Sequence, residues 1–405
     1  MSSDHDSSLH ACAEVIVRIG LNLQPGQRLL IAEPYELQGV CPAASGLVRA
    51  VTARLLENGC PQPEAIWGDA PRLRQYAEQA DWRGFTRLVT GHANRMQAHL
   101  SEGGAFLFPI SSFPHLMKDI APERVSELRR IAWEHFGPIV QRLTRGESQW
   151  TLVPAAAPEW ADAVYPELPV EKRLGALEET LAAAMRVTTP RHSLSGIPDS
   201  PTQRWQIHLN SLHELRDELN NNRRKFVRYQ GEGTDLTVKL PAQHQWCTAQ
   251  LTTKGGISFV ANLPTEEVFT APDRDSAEGT VRVARPVNYG GALIDGIELE
   301  FHHGLVVQAS ARTGAGLLER LLNTDDGSSR LGEIAVVPHS RKLSGPAGWQ
   351  TSGRLFHHTL LDENAASHIA LGESYPFCTR ALFASGLNRS LVHVDLPLDA
   401  EVTFS

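Results

Sequence analysis

Apolar residues recur at helical spacing from Leu9 to Gly20, and Gly20 closes the run as a helix C-cap would. The turn Asn22-Leu23-Gln24-Pro25-Gly26-Gln27 then leads into Arg28-Leu29-Leu30-Ile31-Ala32, which reads as a short apolar strand. Leu47 to Asn58 repeats the helical pattern and stops at Gly59, and Glu64-Ala65-Ile66-Trp67 reads as the next strand. Ala105 to Ile110 is a buried strand, Pro122 to Phe136 a helix with Glu123 in its first turn, and Thr151 to Pro154 a further strand. Strand, helix and strand joined by tight turns predict a doubly wound α/β domain over residues 1–190.

Glu171 to Arg186 and His208 to Arg224 carry helical patterns, and the Pro-, Ser- and Thr-rich stretch from Thr188 to Gln203 between them reads as a linker. After Phe226 the period changes. Thr234 to Leu240 and Gly304 to Val307 alternate as half-buried antiparallel strands do, with Gly255-Gly256 and Gly290-Gly291 as punctuation. Residues 205–405 are therefore expected to form a β-rich α+β domain.

Composition narrows the function more than the fold. The net charge of −8 argues against nucleic acid and anionic membrane as partners, and the 41% hydrophobic content is that of an ordinary globular chain. Five scattered cysteines, Cys12, Cys41, Cys60, Cys247 and Cys378, fit a reducing compartment better than a disulfide framework. The start MSSDHDSSLHACAEV lacks the basic and apolar regions of a signal peptide, and no run of about 18 apolar residues predicts a transmembrane helix. A cytoplasmic protein is the expectation. Seventeen histidines make metal chemistry worth seeking.

The densest polar tract is Leu361-Asp362-Glu363-Asn364-Ala365-Ala366-Ser367-His368-Ile369-Ala370-Leu371-Gly372. Glu363 and His368, five apart, share no face of an ideal helix but can converge across a helix end. Together they offer a divalent ion its usual donors, although Asp362 or Asn364 as an N-cap would explain the same residues. In a strand, His393 and Asp395 would present imidazole and carboxylate on one side, either as metal donors or as a polar outer face. Glu266-Glu267, between Pro264 and Pro272, has the composition of a solvated turn. Glu333 is read as preceding an apolar strand, at its mouth.

In this order and context, Asn262 to Thr270, Arg330-Leu331-Gly332-Glu333, Asp362 to Gly372 and His393-Val394-Asp395 resemble the aminopeptidase T and aminopeptidase S family of thermophilic-type dinuclear metallo-aminopeptidases. Gly20 to Gln27, Trp150 to Pro154 and Pro158-Glu159-Trp160-Ala161 are also similar, so the resemblance spans nearly the whole chain. It implies hydrolysis of peptide or aminoacyl amide bonds at the substrate's N-terminus, in a homodimer, with two divalent ions (zinc, cobalt or manganese) held by the C-terminal domain. It implies Glu267, Glu333, Glu363, His368, His393 and Asp395 as ligands. Glu266 stays open as an alternative to Glu267, although spacing to Glu333 favours Glu267. Tyr375 stands where the family has an active-site tyrosine. Such a ligand set suits two dications about 3.5–4 Å apart with one bridging carboxylate, for which Glu333 is the choice. Glu267 is the candidate proton shuttle and Tyr375 the candidate oxyanion donor.

The chain departs from the family in three places. Lys342 to Trp349 reads as an insertion, the path from Tyr375 to His393 is short, and Leu396-Pro397-Leu398-Asp399 replaces the expected continuation, with the chain ending at Ser405 instead of adding a strand pair. These differences bear on substrate choice, and leave open a specialised amide hydrolase on the same site. A mononuclear iron ring-cleaving dioxygenase of related fold would need only His368, His393 and one carboxylate.

Overall fold

The computed structural model describes residues 2–188, 200–338, 353–380 and 386–405. The chain begins with α1 (Ser2–Val15), which continues as a π-helical turn to Gly20. It proceeds through β1 (Leu29–Ile31), α2 (Ser45–Glu57), β2 (Glu64–Ala65), α3 (Ala70–Gln79), α4 (Trp82–Ser101) and β3 (Ala105–Ile110). There follow α5 (Pro122–Thr144), β4 (Trp150–Pro154), α6 (Pro158–Val164) and α7 (Val170–Ala184). The four strands form a parallel sheet in the order β2-β1-β3-β4. Leu30, Phe106 and Phe108 pack on one face with α3, α4 and α5, whereas Leu29, Ile31, Ala105 and Leu107 pack on the other with α1 and α2. Both faces are covered, which is why these strands read as continuous apolar runs.

α1 begins at Ser2, ahead of the expected Leu9, and two further helices exceed their predicted lengths. α5 runs through Pro138 to Thr144 instead of ending at Phe136, because Ile139 and Leu143 are also buried. That apolar stripe outweighs the roughly 3 kcal/mol that an internal proline costs. The helix expected from His208, α8 (Pro201–Asn222), begins earlier, at a proline in a first-turn position where its missing N–H is harmless. The last three residues of the expected linker, Pro201 to Gln203, are therefore helical, and residues 189–199 lie outside the described ones.

The remaining strands are β5 (Phe226–Gly231), β6 (Thr234–Lys239), β7 (Gln250–Thr252), β8 (Ser258–Val260), β9 (Val268–Thr270), β10 (Glu278–Arg282), β11 (Val287–Tyr289), β12 (Ala292–Ile294), β13 (Glu298–His302) and β14 (Leu305–Ser310). After α9 (Ala315–Leu322) come β15 (Leu331–Val336), α10 (Thr359–Glu363), β16 (His368–Gly372), β17 (His393–Pro397) and β18 (Glu401–Phe404). One antiparallel sheet has six strands in the order β14-β13-β10-β6-β5-β18, and a second has four, β17-β16-β15-β9. β6 alternates as expected, but β14 is an edge strand and mostly exposed, so its half-buried reading is corrected. Leu396 to Asp399 leads into a further strand, β18, which pairs with β5. The two halves are joined at β4, where Leu152 N–H donates to Ala261 O (2.7 Å) and Leu263 N–H to Leu152 O (3.0 Å). No helix among the described residues is long and apolar enough to cross a membrane.

Candidate metal centre

The four-stranded sheet gathers the predicted residues. In its register Glu333 faces Ala370, which faces Asp395; His368 faces Ala335 and Pro397; His393 faces Gly372. Cross-strand partners project to the same side, so Glu333, His368, His393 and Asp395 share one face. Ala335, Ala370 and Gly372 lie among them and leave room above the sheet. Ile334, Ile369, Leu371, Val394 and Leu396 fill the opposite face.

Glu333 lies inside β15, not at its mouth as expected, and is buried. A bulge at Gly332 makes this possible: Leu331 pairs with Leu371 and enters the core, while Glu333 pairs with Ala370 and turns to the other face. A side chain on Gly332 would meet the carbonyl oxygens of Gly372 and Glu373 at 2.4 Å.

The two remaining carboxylates come from outside the sheet. Glu267 immediately precedes β9, and Glu363 ends α10, with His368 opening β16 after a short turn. His368 Nε2 lies 3.0 Å from Glu267 Oε2 and 3.6 Å from Glu333 Oε1; His393 Nε2 lies 3.4 Å from Asp395 Oδ1 and 4.0 Å from Glu333 Oε2. Two groups of ligand-capable atoms result, Glu267–Glu333–His368 and Glu333–His393–Asp395, each within 4.8 Å, and Glu333 belongs to both. Glu363 hydrogen-bonds Asp395 and lies near Glu267. Glu266 turns away: its carboxylate takes the guanidinium of Arg186 at 2.6 Å.

The electrostatics are those of a cluster short of positive charge. Burial, reinforced by Glu267, lifts Glu333 to about 6, and burial with Asp395 and Glu267 lifts Glu363 well above the usual carboxylate range. Burial opposes protonation of the imidazoles, yet the carboxylates around them prevail. His393 rises to about 9 beside Asp395, and His368 rises well above its ordinary value beside Glu267. Burial would also raise Asp395, but His393 holds it down to about 2. Buried charges that meet only one another in this way are the surroundings in which a dication replaces protons. Glu267 Oε2 is a buried oxygen without an aligned hydrogen bond among the described residues.

Several supporting residues carry no signal in the sequence. His368 Nδ1 bonds Ala366 O (3.1 Å) and His393 Nδ1 bonds Glu373 O (2.8 Å), so both imidazoles turn Nε2 towards the centre. Tyr229, reaching over from β5, donates towards Ala335 O and His368 O at 3.1 and 3.3 Å, on the strands that carry Glu333 and His368. Asn364 Oδ1 accepts from Glu266 N–H at 2.6 Å, and its Nδ2 donates to Glu363 Oε1 at 3.2 Å. Asp362 accepts from Phe356 and His358 N–H, each at 3.0 Å, from within α10, whose N-cap is His358 and whose C-cap is Asn364, so neither residue is the N-cap that the alternative reading supposed.

Tyr375 stands beside the centre, its ring 5.0 Å from that of His393 and stacked on Phe377 at 5.2 Å. Burial and the nearby carboxylates raise its phenol well above the ordinary value, so the proton stays on. The Lys342 to Trp349 insertion lies outside the described residues. A third group, Glu278–His302–His303, sits at the exposed end of β13, where one carboxylate bonds His302 Nδ1 (3.0 Å) and His303 N–H (2.8 Å) and forms an ordinary surface ion pair.

Comparison with known proteins finds relatives along nearly the whole chain. Aminopeptidase T of Thermus thermophilus is 35% identical over 400 residues, covering 97% of this chain and 93% of that protein. Aminopeptidase AmpS of Bacillus subtilis is 33% identical over 401 residues, covering 97% and 92%. The solved structure of wild-type AmpT from Thermus thermophilus superposes with a TM-score of 0.83 at 34% identity, covering 98% of this chain and 97% of that one. The thermophilic metalloprotease (M29) family model matches residues 5–403, and a sheet face crowded with carboxylates and imidazoles is what a metalloprotease requires: the chain belongs to that family.

Proposed function

We propose that the protein is a dinuclear metal-dependent aminopeptidase acting on peptides or aminoacyl amides, with Glu267, Glu333, Glu363, His368, His393 and Asp395 holding two divalent ions. The observation that carries this reading is Glu333, shared by two ligand groups on one sheet face. The donor set of four carboxylates and two imidazoles suits zinc, cobalt or manganese. When bound, such ions supply Lewis-acid polarisation of the scissile carbonyl and a water acidified towards neutrality. The chain's own residues do the rest. Glu333 spans the two groups and fixes their separation. Glu267, with an oxygen free of aligned hydrogen bonds, takes the proton from water and delivers it to the leaving amine. Tyr375 donates its phenolic hydrogen to the developing oxyanion. The named aminopeptidases among the relatives support exopeptidase action, the family resemblance supports a homodimer, and the five scattered cysteines support a reducing, cytoplasmic setting.

Elemental analysis of the purified protein, together with hydrolysis of an aminoacyl-anilide panel before and after chelation, tests the reading. Two divalent ions per chain and chelator-sensitive release are expected. One iron per chain, with oxygen consumed on a hydroxylated heterocycle, would overturn it. Two ions without release from any aminoacyl substrate would keep the centre and move the substrate to another amide.

A further inference from the structure

Four of the six proposed ligands ride on a hydrogen-bonded sheet, which fixes them without help. Glu267 and Glu363 do not. Glu267 belongs to a segment that crosses from the edge of β4, where Leu263 N–H meets Leu152 O, to the edge of β9. Glu363 ends a helix of five residues, too short to hold its own direction. Something else must place them.

We propose that Asn364, backed by the buried Arg186–Glu266 ion pair, is the positioning device that sets Glu267 and Glu363 against the sheet-borne ligands; this rests on the dinuclear reading above. Asn364 is fully buried and uses both ends of its amide. Its Oδ1 holds the main-chain N–H next to Glu267 at 2.6 Å, while Nδ2 holds the Glu363 carboxylate at 3.2 Å and Leu360 O at 2.8 Å. One side chain thus fixes the spacing of two carboxylates that come from distant parts of the sequence.

Behind it, Glu266 is gripped from the N-terminal half. Arg186 Nη2 lies 2.6 and 2.8 Å from the two Glu266 oxygens, and both residues are buried. Arg186 is itself constrained. It follows α7 in the left-handed region, with φ of 56°. Its carbonyl accepts from Arg204 Nε at 2.9 Å, and its guanidinium lies 4.9 Å from the Trp205 ring. His208, kept neutral by burial and by Arg186, donates from Nε2 to Thr265 O at 2.7 Å. Three consecutive residues, Thr265 to Glu267, are therefore held in turn by α8, by Arg186 and by the metal centre. A buried ion pair contributes little net stability, since desolvation offsets its attraction. A requirement that Glu266 face one way and Glu267 the other gives it a purpose.

The test uses cobalt(II) as probe on the full chain, with Asn364→Ala, Arg186→Met and the conservative Arg186→Lys. Affinity is read by chelator competition, ligand geometry by the cobalt absorption spectrum, and folding by thermal melting of the metal-free protein. Asn364→Ala is expected to weaken cobalt binding about 10–100-fold, the usual range for a residue that orients ligands, and to change the spectrum. Arg186→Met should do the same and Arg186→Lys should recover part of the loss. If Arg186→Met does not fold, Asn364→Ala, which strands no charge, decides alone. Variants that melt earlier but bind two cobalt ions with wild-type affinity and spectrum would overturn the positioning role and leave the dinuclear reading standing. A wild-type protein that binds fewer than two cobalt ions would overturn both.

Discussion

Replacing Tyr375 by phenylalanine separates chemistry from architecture more cleanly than any other substitution at this centre. The ring is held by Phe377 at 5.2 Å, Phe269 at 6.0 Å and His393 at 5.0 Å, contacts that phenylalanine keeps. The hydroxyl has no hydrogen-bond partner among the described residues, so its removal breaks no bond to them. Stability should change by less than about 1 kcal/mol and metal content not at all. The phenol is pushed up by burial and by Glu333, so it remains a donor throughout any practical assay range. If it serves the oxyanion, its loss should lower kcat by about 10²–10³, the cost of one oxyanion donor, or roughly 3–4 kcal/mol. KM should move little, because the bond strengthens only in the transition state. Steady-state hydrolysis of an aminoacyl-anilide, with metal analysis and melting on the same preparation, measures all three. A kcat within a few-fold of wild type would refute the role, and a large fall accompanied by lost metal would reassign Tyr375 to supporting His393.

Glu333→Ala should abolish binding of both ions, whereas His368→Ala and His393→Ala should each leave about one per chain, as elemental analysis would read; retention of one ion by Glu333→Ala would remove it as the shared ligand. Trp160 is fully buried, donates Nε1–H to Phe356 O at 2.6 Å and stacks on His358 at 4.8 Å, so Trp160→Ala should cost about 3–5 kcal/mol in urea unfolding. Metal-free stability should depend on pH with a defined sign. His393, raised to about 9, stabilises the fold fully below its ordinary value of 6.5 and loses that contribution as pH rises through 9. Glu333, raised by burial to about 6, works in the same direction, favouring the fold at low pH and penalising it as pH rises from 4.5 through 6. Asp395, lowered to about 2, contributes above its ordinary 3.8 and loses that contribution only as pH falls towards 2. Buried His208, His357 and His358, held neutral by burial, pull the other way, so the chelated wild type should lose more melting temperature, or gain less, from pH 5 to pH 9 than the chelated His393→Gln variant, and equal changes would contradict the charge pattern.

The parallel sheet was legible because β1, β3 and β4 are buried on both faces and so read as unbroken apolar runs. The site was legible in a different way. His393 and Asp395 needed only the two-residue period of a strand, but bringing them to Glu333 and His368 depends on register, and register is a long-range property. The Gly332 bulge that turns Glu333 out of the core leaves no trace in composition. Glu266 and Glu267 look alike in sequence; what separates them is Arg186, 80 residues away. Tyr229, Asn364 and His208 act through main-chain atoms of distant segments, so local spacing does not reveal them. The ends of α5 and α8 were misread at Pro138 and Pro201, where tertiary burial and the tolerance of a first helical turn overrode proline's usual effect.

The C-terminal ends of the parallel strands, where an open α/β sheet ordinarily binds a ligand, serve here as a cradle for protein. Ser112 donates to His357 O, His358 Nε2 meets Ile110 O at 3.3 Å, and Trp160 donates to Phe356 O. Arg354 donates to Val164 O at 2.6 Å and lies over Tyr165. All of these contacts seize the stretch that enters α10, the short helix carrying Glu363. An isolated helix of one turn is unstable in water, so its order must come from this packing. The same half grips Glu266 through Arg186. The N-terminal half thus touches the segments carrying both carboxylates that the four-stranded antiparallel sheet does not supply, and the proposed six-ligand centre would be incomplete without it.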